Sequence, residues 1–277
     1  MMLQQNSTKN SNTPQLSLSL LGPFKLAVNG QTVTSLVSEK LRAILAYLAV
    51  EAHQEHPRTI LAGLVWPELP EQEALAHLRF ALSNLRHVIG DRAAAPPFLL
   101  ITRQSVEFNV ASSHWLDVST FQTLAGHPAH DAPADVARLE QAIALYRDSF
   151  LIGFSVRSGN FEEWVLLKRE GFDRQALSVM QRLADSYERS GDYARAQLYA
   201  RRQLELEPWR EEAHCQLMRA LALSGQRSSA LAQYESCRRL LARDLAVMPG
   251  HEITVLYEAI RDDRLPRLSR TAESRPA

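Results

Sequence analysis

The stretch from Glu71 to Ile89, EQEALAHLRFALSNLRHVI, decides how the rest of the chain is read. Leu75, Leu78, Leu82, Leu85 and Ile89 recur at helical spacing and predict one buried stripe. At about 100° per residue, Glu73, His77, Phe80, Asn84 and His87 fall on the opposite side, with Arg79 and Arg86 between the two faces. Such a helix suits a DNA major groove. The same pattern also describes a surface helix with two solvated arginines.

The flanking sequence gives this helix a setting. Leu16 to Gly22 alternates apolar and polar residues, as do Phe24, Leu26 and Val28, and Asn29-Gly30 marks a tight hairpin turn before a short return over Gln31 to Thr34. Ser38 is placed to cap a helix carrying Leu41, Ile44, Leu45 and Leu48. A second helix fits Thr59 to Trp66, with Ile60, Leu61, Leu64 and Val65 inward and Pro67 and Pro70 ending it. After Gly90, two strands, Phe98 to Ile101 and Val106 to Val110, surround Arg103-Gln104-Ser105. Three helices followed by such a hairpin is the order of a winged helix-turn-helix, with Arg103 at the wing tip within reach of a phosphate.

Three strings carry a family resemblance. LGPFKLAVNG from Leu21 with EKLRAILAYLA from Glu39, GLVWPE (Gly63 to Glu68) and LRFALSNLRHVIG (Leu78 to Gly90) resemble the SARP family of bacterial activators. The resemblance implies an OmpR-type winged helix with its recognition helix around Arg79 to His87. The chain departs from the family in two places. Ser105-Val106 stands where the wing usually has Gly-Tyr, and Phe80 where a polar residue is common. An outward Phe80 either meets a thymine methyl or packs on a neighbouring helix or second domain.

Beyond Trp115 the strand signals stop. Leu116, Asp117, Val118 and Phe121 read as a connecting segment, Val136 to Phe150 as an amphipathic helix, and Phe161 to Ser190 as a long helix that Gly171 is able to bend. Leu183, Tyr187, Gly191 and Ala196 then recur as Leu217, Leu221, Gly225 and Ala230, each 34 residues on, which is the tetratricopeptide period. Trp209-Arg210-Glu211-Glu212 reads as a helix start that anchors in the core. Glu207 to Pro249 also resembles the bacterial transcriptional activator domain that follows the winged helix in SARP regulators.

The expected fold is therefore mainly α with a small β component: a winged helix-turn-helix followed by an all-α tetratricopeptide-like domain. The expected divisions are a disordered tail at 1–15, the winged helix at 16–110, helical repeats at 111–265 and a disordered tail at 266–277. Arg79, Phe80, Ser83, Asn84, Arg86 and His87 are the candidates on the recognition helix. Lys40, Arg58 and Arg103 are the candidate phosphate ligands. Replacing both Arg79 and Arg86 by alanine is expected to abolish specific binding with the fold intact.

Composition bounds the rest. The 277 residues carry a formal net charge of zero, and charges nearly cancel within 16–110, so one DNA-binding domain should bind weakly and two side by side more strongly. The resemblance implies direct repeats in double-stranded promoter DNA, self-association on DNA and recruitment of RNA polymerase. The alternative is a helical-repeat interaction or ligand-sensing module with lost or secondary DNA binding. Cys215 and Cys237 are too few for a disulfide scaffold, and Cys237 falls where the repeat wants a small buried residue. No signal peptide or run of roughly 18 apolar residues is present, which points to the cytoplasm with no membrane partner. No phosphate-binding loop, nucleophile elbow or metal-ligand cluster appears, so neither cofactor nor metal nor enzymatic activity is expected.

Overall fold

The computed structural model describes residues 15–36, 38–126 and 135–265. Both predicted tails lie almost wholly outside these residues. The chain divides into two compact units, the first formed by Met1–Thr123 with Leu145–Phe172, the second by Leu124–Ala144 with Asp173–Ala277.

The first unit opens with β1 (Leu16–Ser19), β2 (Lys25–Val28) and β3 (Gln31–Thr32). Leu18 pairs with Leu26 across the antiparallel β1–β2 ladder. Asn29 and Gly30 have φ of 53° and 77°, the left-handed pair that a two-residue hairpin needs. A fourth strand, β7 (His114–Leu116), joins β1 in parallel. Strand structure therefore persists through Trp115 and Leu116, because β1 offers an open edge. The sheet order is β3-β2-β1-β7.

Next come α1 (Glu39–Val50), β4 (His56–Pro57), α2 (Arg58–Val65) and α3 (Glu71–Val88). Ser38 occupies the cap position of α1, but its side chain makes no cap bond. Its backbone carbonyl instead accepts from the amides of Leu41 and Arg42. On α2, Leu61, Ala62, Leu64 and Val65 are buried, whereas Ile60 is 56% exposed against expectation, since those four positions already fill the inward face of so short a helix. The wing follows as β5 (Leu99–Ile101) and β6 (Ser105–Phe108), with β4 on the outer side of β6.

The remaining helices are α4 (Asp117–Ala125), α5 (Val136–Leu145), α6 (Gly159–Ser190), α7 (Tyr193–Leu206), α8 (Glu211–Leu223), α9 (Arg227–Asp244) and α10 (His251–Arg261). The helix expected over Val136 to Phe150 stops at Leu145. Arg147 and Phe150 are drawn elsewhere, Arg147 to the Asp117 carboxylate at 3.0 Å and Phe150 into a bridge with Leu21. Gly171 leaves α6 unbroken.

In the second unit the 34-residue recurrence is a repeated helix-turn-helix. At Gly191 the amides of Gly191 and Asp192 bond to the carbonyls of Glu188 and Tyr187. At Gly225 those of Gly225 and Gln226 bond to Ala222 and Leu221. These are the same helix-ending motif, with the glycine left-handed in both (φ 79° and 85°). Ala196 and Ala230 are buried where helices meet. Trp209 is 47% exposed and anchors no core, because Arg210 takes the inward position at this turn and donates to Gln181 Oε1 at 3.1 Å. Both thiols are buried, and burial pushes Cys215 up to about 11 and Cys237 up to about 12.

Candidate nucleic-acid interface

The outer face of α3 follows from its inner one. Ala74, Leu78, Ala81, Leu82 and Leu85 are buried, and Ile89 just after the helix joins them, while Leu75 is half-buried. That orientation turns Ala76, Phe80, Ser83, Asn84 and His87 outward along one ridge, all exposed, with Arg79 exposed beside them. Among the described residues, the side chains of Arg79, Ser83, Asn84 and His87 have no hydrogen-bond partner within the molecule. Phe80 is 75% exposed, so it packs on no neighbouring helix of its unit. His77 leans on Trp66, ring centroids 5.8 Å apart.

Arg86 has a structural task. Its Nε donates to Asp91 Oδ2 at 2.6 Å, and Asp91, 1% exposed, also accepts the Leu99 amide at 3.0 Å through Oδ1. The pair ties the end of α3 to the first strand of the wing. Gly90 makes this possible: with φ at 70° it ends the helix, and the Asp91 amide returns to the Arg86 carbonyl at 2.9 Å. The expected contact role for Arg86 therefore meets an internal commitment that sequence spacing did not reveal.

The wing tip is tightly built. Thr102 Oγ1 accepts the amides of Gln104 at 3.1 Å and Ser105 at 2.9 Å, leaving Arg103 exposed at the turn without an internal partner. The departure at Ser105-Val106 has a packing reason. The Ser105 hydroxyl donates to Glu55 Oε2 at 2.8 Å, and Val106 is fully buried opposite His56.

The other two candidates differ. Arg58, half-buried at the start of α2, gives its backbone amide to the Gln104 carbonyl of the wing at 2.9 Å, and its buried Nε has no partner. Lys40 is held by Glu68 at 3.0 Å and lies 5.2 Å from the centre of the Trp66 ring. Glu68 is lowered from its ordinary value, first by its own backbone amide and then by Lys40.

Two clusters escaped the sequence reading. Asp117 accepts the amides of Leu20 (2.8 Å) and Leu21 (3.0 Å) and pairs with Arg147. Burial pushes its carboxyl up against the opposing pull of those donors. Glu51 accepts from Trp164 Nε1 at 2.7 Å and pairs with Lys168 at 2.6 Å. A lone acid amid Trp115, Leu116 and Val118 was the available signal for the first. The second joins residues more than a hundred positions apart and left none.

The matching family model is the bacterial transcriptional activator domain, over residues 116–261, more than half of the chain. The chain belongs to this family of SARP-type regulators. The family's relatives include the transcriptional regulatory protein EmbR of Mycobacterium tuberculosis, 28% identical over 89% of this chain and 63% of that protein. The regulatory protein AfsR of Streptomyces coelicolor is 29% identical over 95% of this chain and 26% of its own length. The regulatory protein DnrI of Streptomyces peucetius is 25% identical over 95% of this chain and 97% of DnrI. The chain thus spans less than two thirds of EmbR and about a quarter of AfsR. Among solved structures, M. tuberculosis EmbR in complex with a low-affinity phosphopeptide shares the fold, with a TM-score of 0.74 at 24% identity over 91% of this chain and 66% of that one. Among the described residues no helix is long and apolar enough to cross a membrane, and no group of three or more His, Cys, Asp or Glu is placed to hold a metal ion.

Proposed function

We propose that the chain is a sequence-specific DNA-binding transcriptional regulator, an activator that occupies direct repeats in promoter DNA through its winged helix at 16–110 and contacts RNA polymerase. The observation that carries this reading is the outer ridge of α3, where Arg79, Ser83, Asn84 and His87 are exposed and unpartnered. Arg79, Ser83 and Asn84 read base edges in the major groove. Arg103 at the wing tip and Arg58 beneath it take phosphates, and these fix register without carrying sequence information. Arg86 and Lys40, already paired, support the site. Because charge is balanced, affinity comes from two copies on adjacent repeats, with the helical repeats at 111–265 supplying surface for self-association and polymerase.

The test is selection of random duplex DNA by the full chain at two salt concentrations. Enrichment of a repeated motif, with affinity falling steeply as salt rises, is the expected result. Arg79→Ala should then lower affinity for the selected duplex by about 5- to 150-fold with an unchanged melting temperature, given about 1–3 kcal/mol for a good base contact. No enrichment by folded protein overturns the reading and favours a helical-repeat interaction module.

A further inference from the structure

Phe80 stands at the centre of the α3 ridge, one turn from Ala76 and one from Ser83 and Asn84, and 75% of its surface is exposed. Single exposed apolar side chains are ordinary on protein surfaces. This one differs in its setting, because the groups around it on the ridge are small or polar and have no internal partner. A phenyl ring neither donates nor accepts a conventional hydrogen bond to a base edge. In a major groove the one apolar group that distinguishes a base pair is the 5-methyl of thymine.

We infer that Phe80 is a specificity-determining residue that selects thymine at one or two positions of each half-site by van der Waals contact with the 5-methyl group. This rests on the DNA-binding reading above and names what part of the ridge reads. Arg79, Ser83 and Asn84 contribute hydrogen bonds on either side, while Phe80 excludes water from the methyl and penalises cytosine, whose groove-facing N4–H would lose its bond to water against the ring. The position is exposed and contributes nothing to the core, so it is free to vary with the operator.

The experiment uses the full chain and the duplex selected above. Each thymine is replaced singly by deoxyuridine, which keeps base pairing and removes only the methyl. For the wild-type chain, one or two replacements should weaken binding about fourfold, the partition of a single methylene. In Phe80→Ala those same replacements should cost nothing further, whereas Phe80→Leu should keep part of the penalty. Wild-type binding indifferent to every replacement overturns the inference while leaving DNA binding standing. Penalties that persist in Phe80→Ala also overturn it, because another side chain then meets the methyl. Failure of the wild-type chain to select any duplex overturns the DNA-binding reading itself, and this inference with it.

Discussion

Two arginines seven positions apart on one helix have different tasks. Arg79 is exposed and unpartnered, whereas Arg86 neutralises a carboxylate that is 1% exposed. Alanine at Arg86 would leave Asp91 buried with the Leu99 backbone amide as the remaining donor to its carboxylate. Because the Arg86 side chain is 35% exposed, water takes over part of its role. Arg86→Ala should therefore cost about 2 kcal/mol, less than the roughly 3–5 kcal/mol of breaking a fully buried pair. Denaturant titration checks this, and an unchanged midpoint would return Arg86 to the list of free contact residues. A double replacement at Arg79 and Arg86 thus mixes lost contact with lost stability, and only the single variants separate them. Helix phase placed Phe80, Asn84 and His87 on the outside, because the leucine stripe leaves them no alternative. It placed Arg79 and Arg86 alike between the faces, and only the position of Asp91 decides that one is committed and the other exposed.

At the scale of elements, the wing hairpin combines a rigid base with one charged tip. Thr102, Ser105 and Glu55 hold the turn through side-chain hydrogen bonds, so removing the Arg103 side chain should leave the hairpin intact. If Arg103 meets a phosphate, Arg103→Ala should weaken binding about equally on all duplexes and reduce the slope of log affinity against log salt by about 1 per bound domain. An altered sequence preference with an unchanged slope would instead make Arg103 a base reader. The wing strands were legible as two apolar-rich runs around Arg103-Gln104-Ser105, although the second spans Ser105–Phe108 and not Val106 to Val110. The strand at His114–Leu116 was not, because three residues carry too little pattern and its existence depends on the free edge of β1. The tail of α5 fails as a helix for a similar reason. Its periodicity runs on past Leu145, but Arg147 and Phe150 gain more from the Asp117 carboxylate and the β1 region than from another helical turn.

At the scale of the molecule, the first unit is assembled from two separate stretches of chain, and Glu51 is one of the joints. Burial acts to raise its carboxyl, but hydrogen bonds from Lys168 and Trp164 outweigh this and hold it below the ordinary 4.5. A depressed native carboxyl adds stability that is present above the unfolded value and lost as pH falls through the native one. The melting temperature of the wild type should fall over that acid window, and Glu51→Gln should flatten the fall. Equal slopes would mean that Glu51 is not the group responsible. The sequence by itself determined the mainly α class, the winged-helix order, the 34-residue repeat and the outward face of α3. All of these are local periodicities, and burying an apolar stripe leaves a helix or strand few other orientations. Tertiary structure alone decided that Leu145–Phe172 packs with the winged helix, that Asp117 and Glu51 are buried joints, and that Arg86 and Lys40 are spoken for. Those outcomes depend on which charged groups meet across long separations in sequence, where burial makes an unpaired charge costly and no local pattern records the partner.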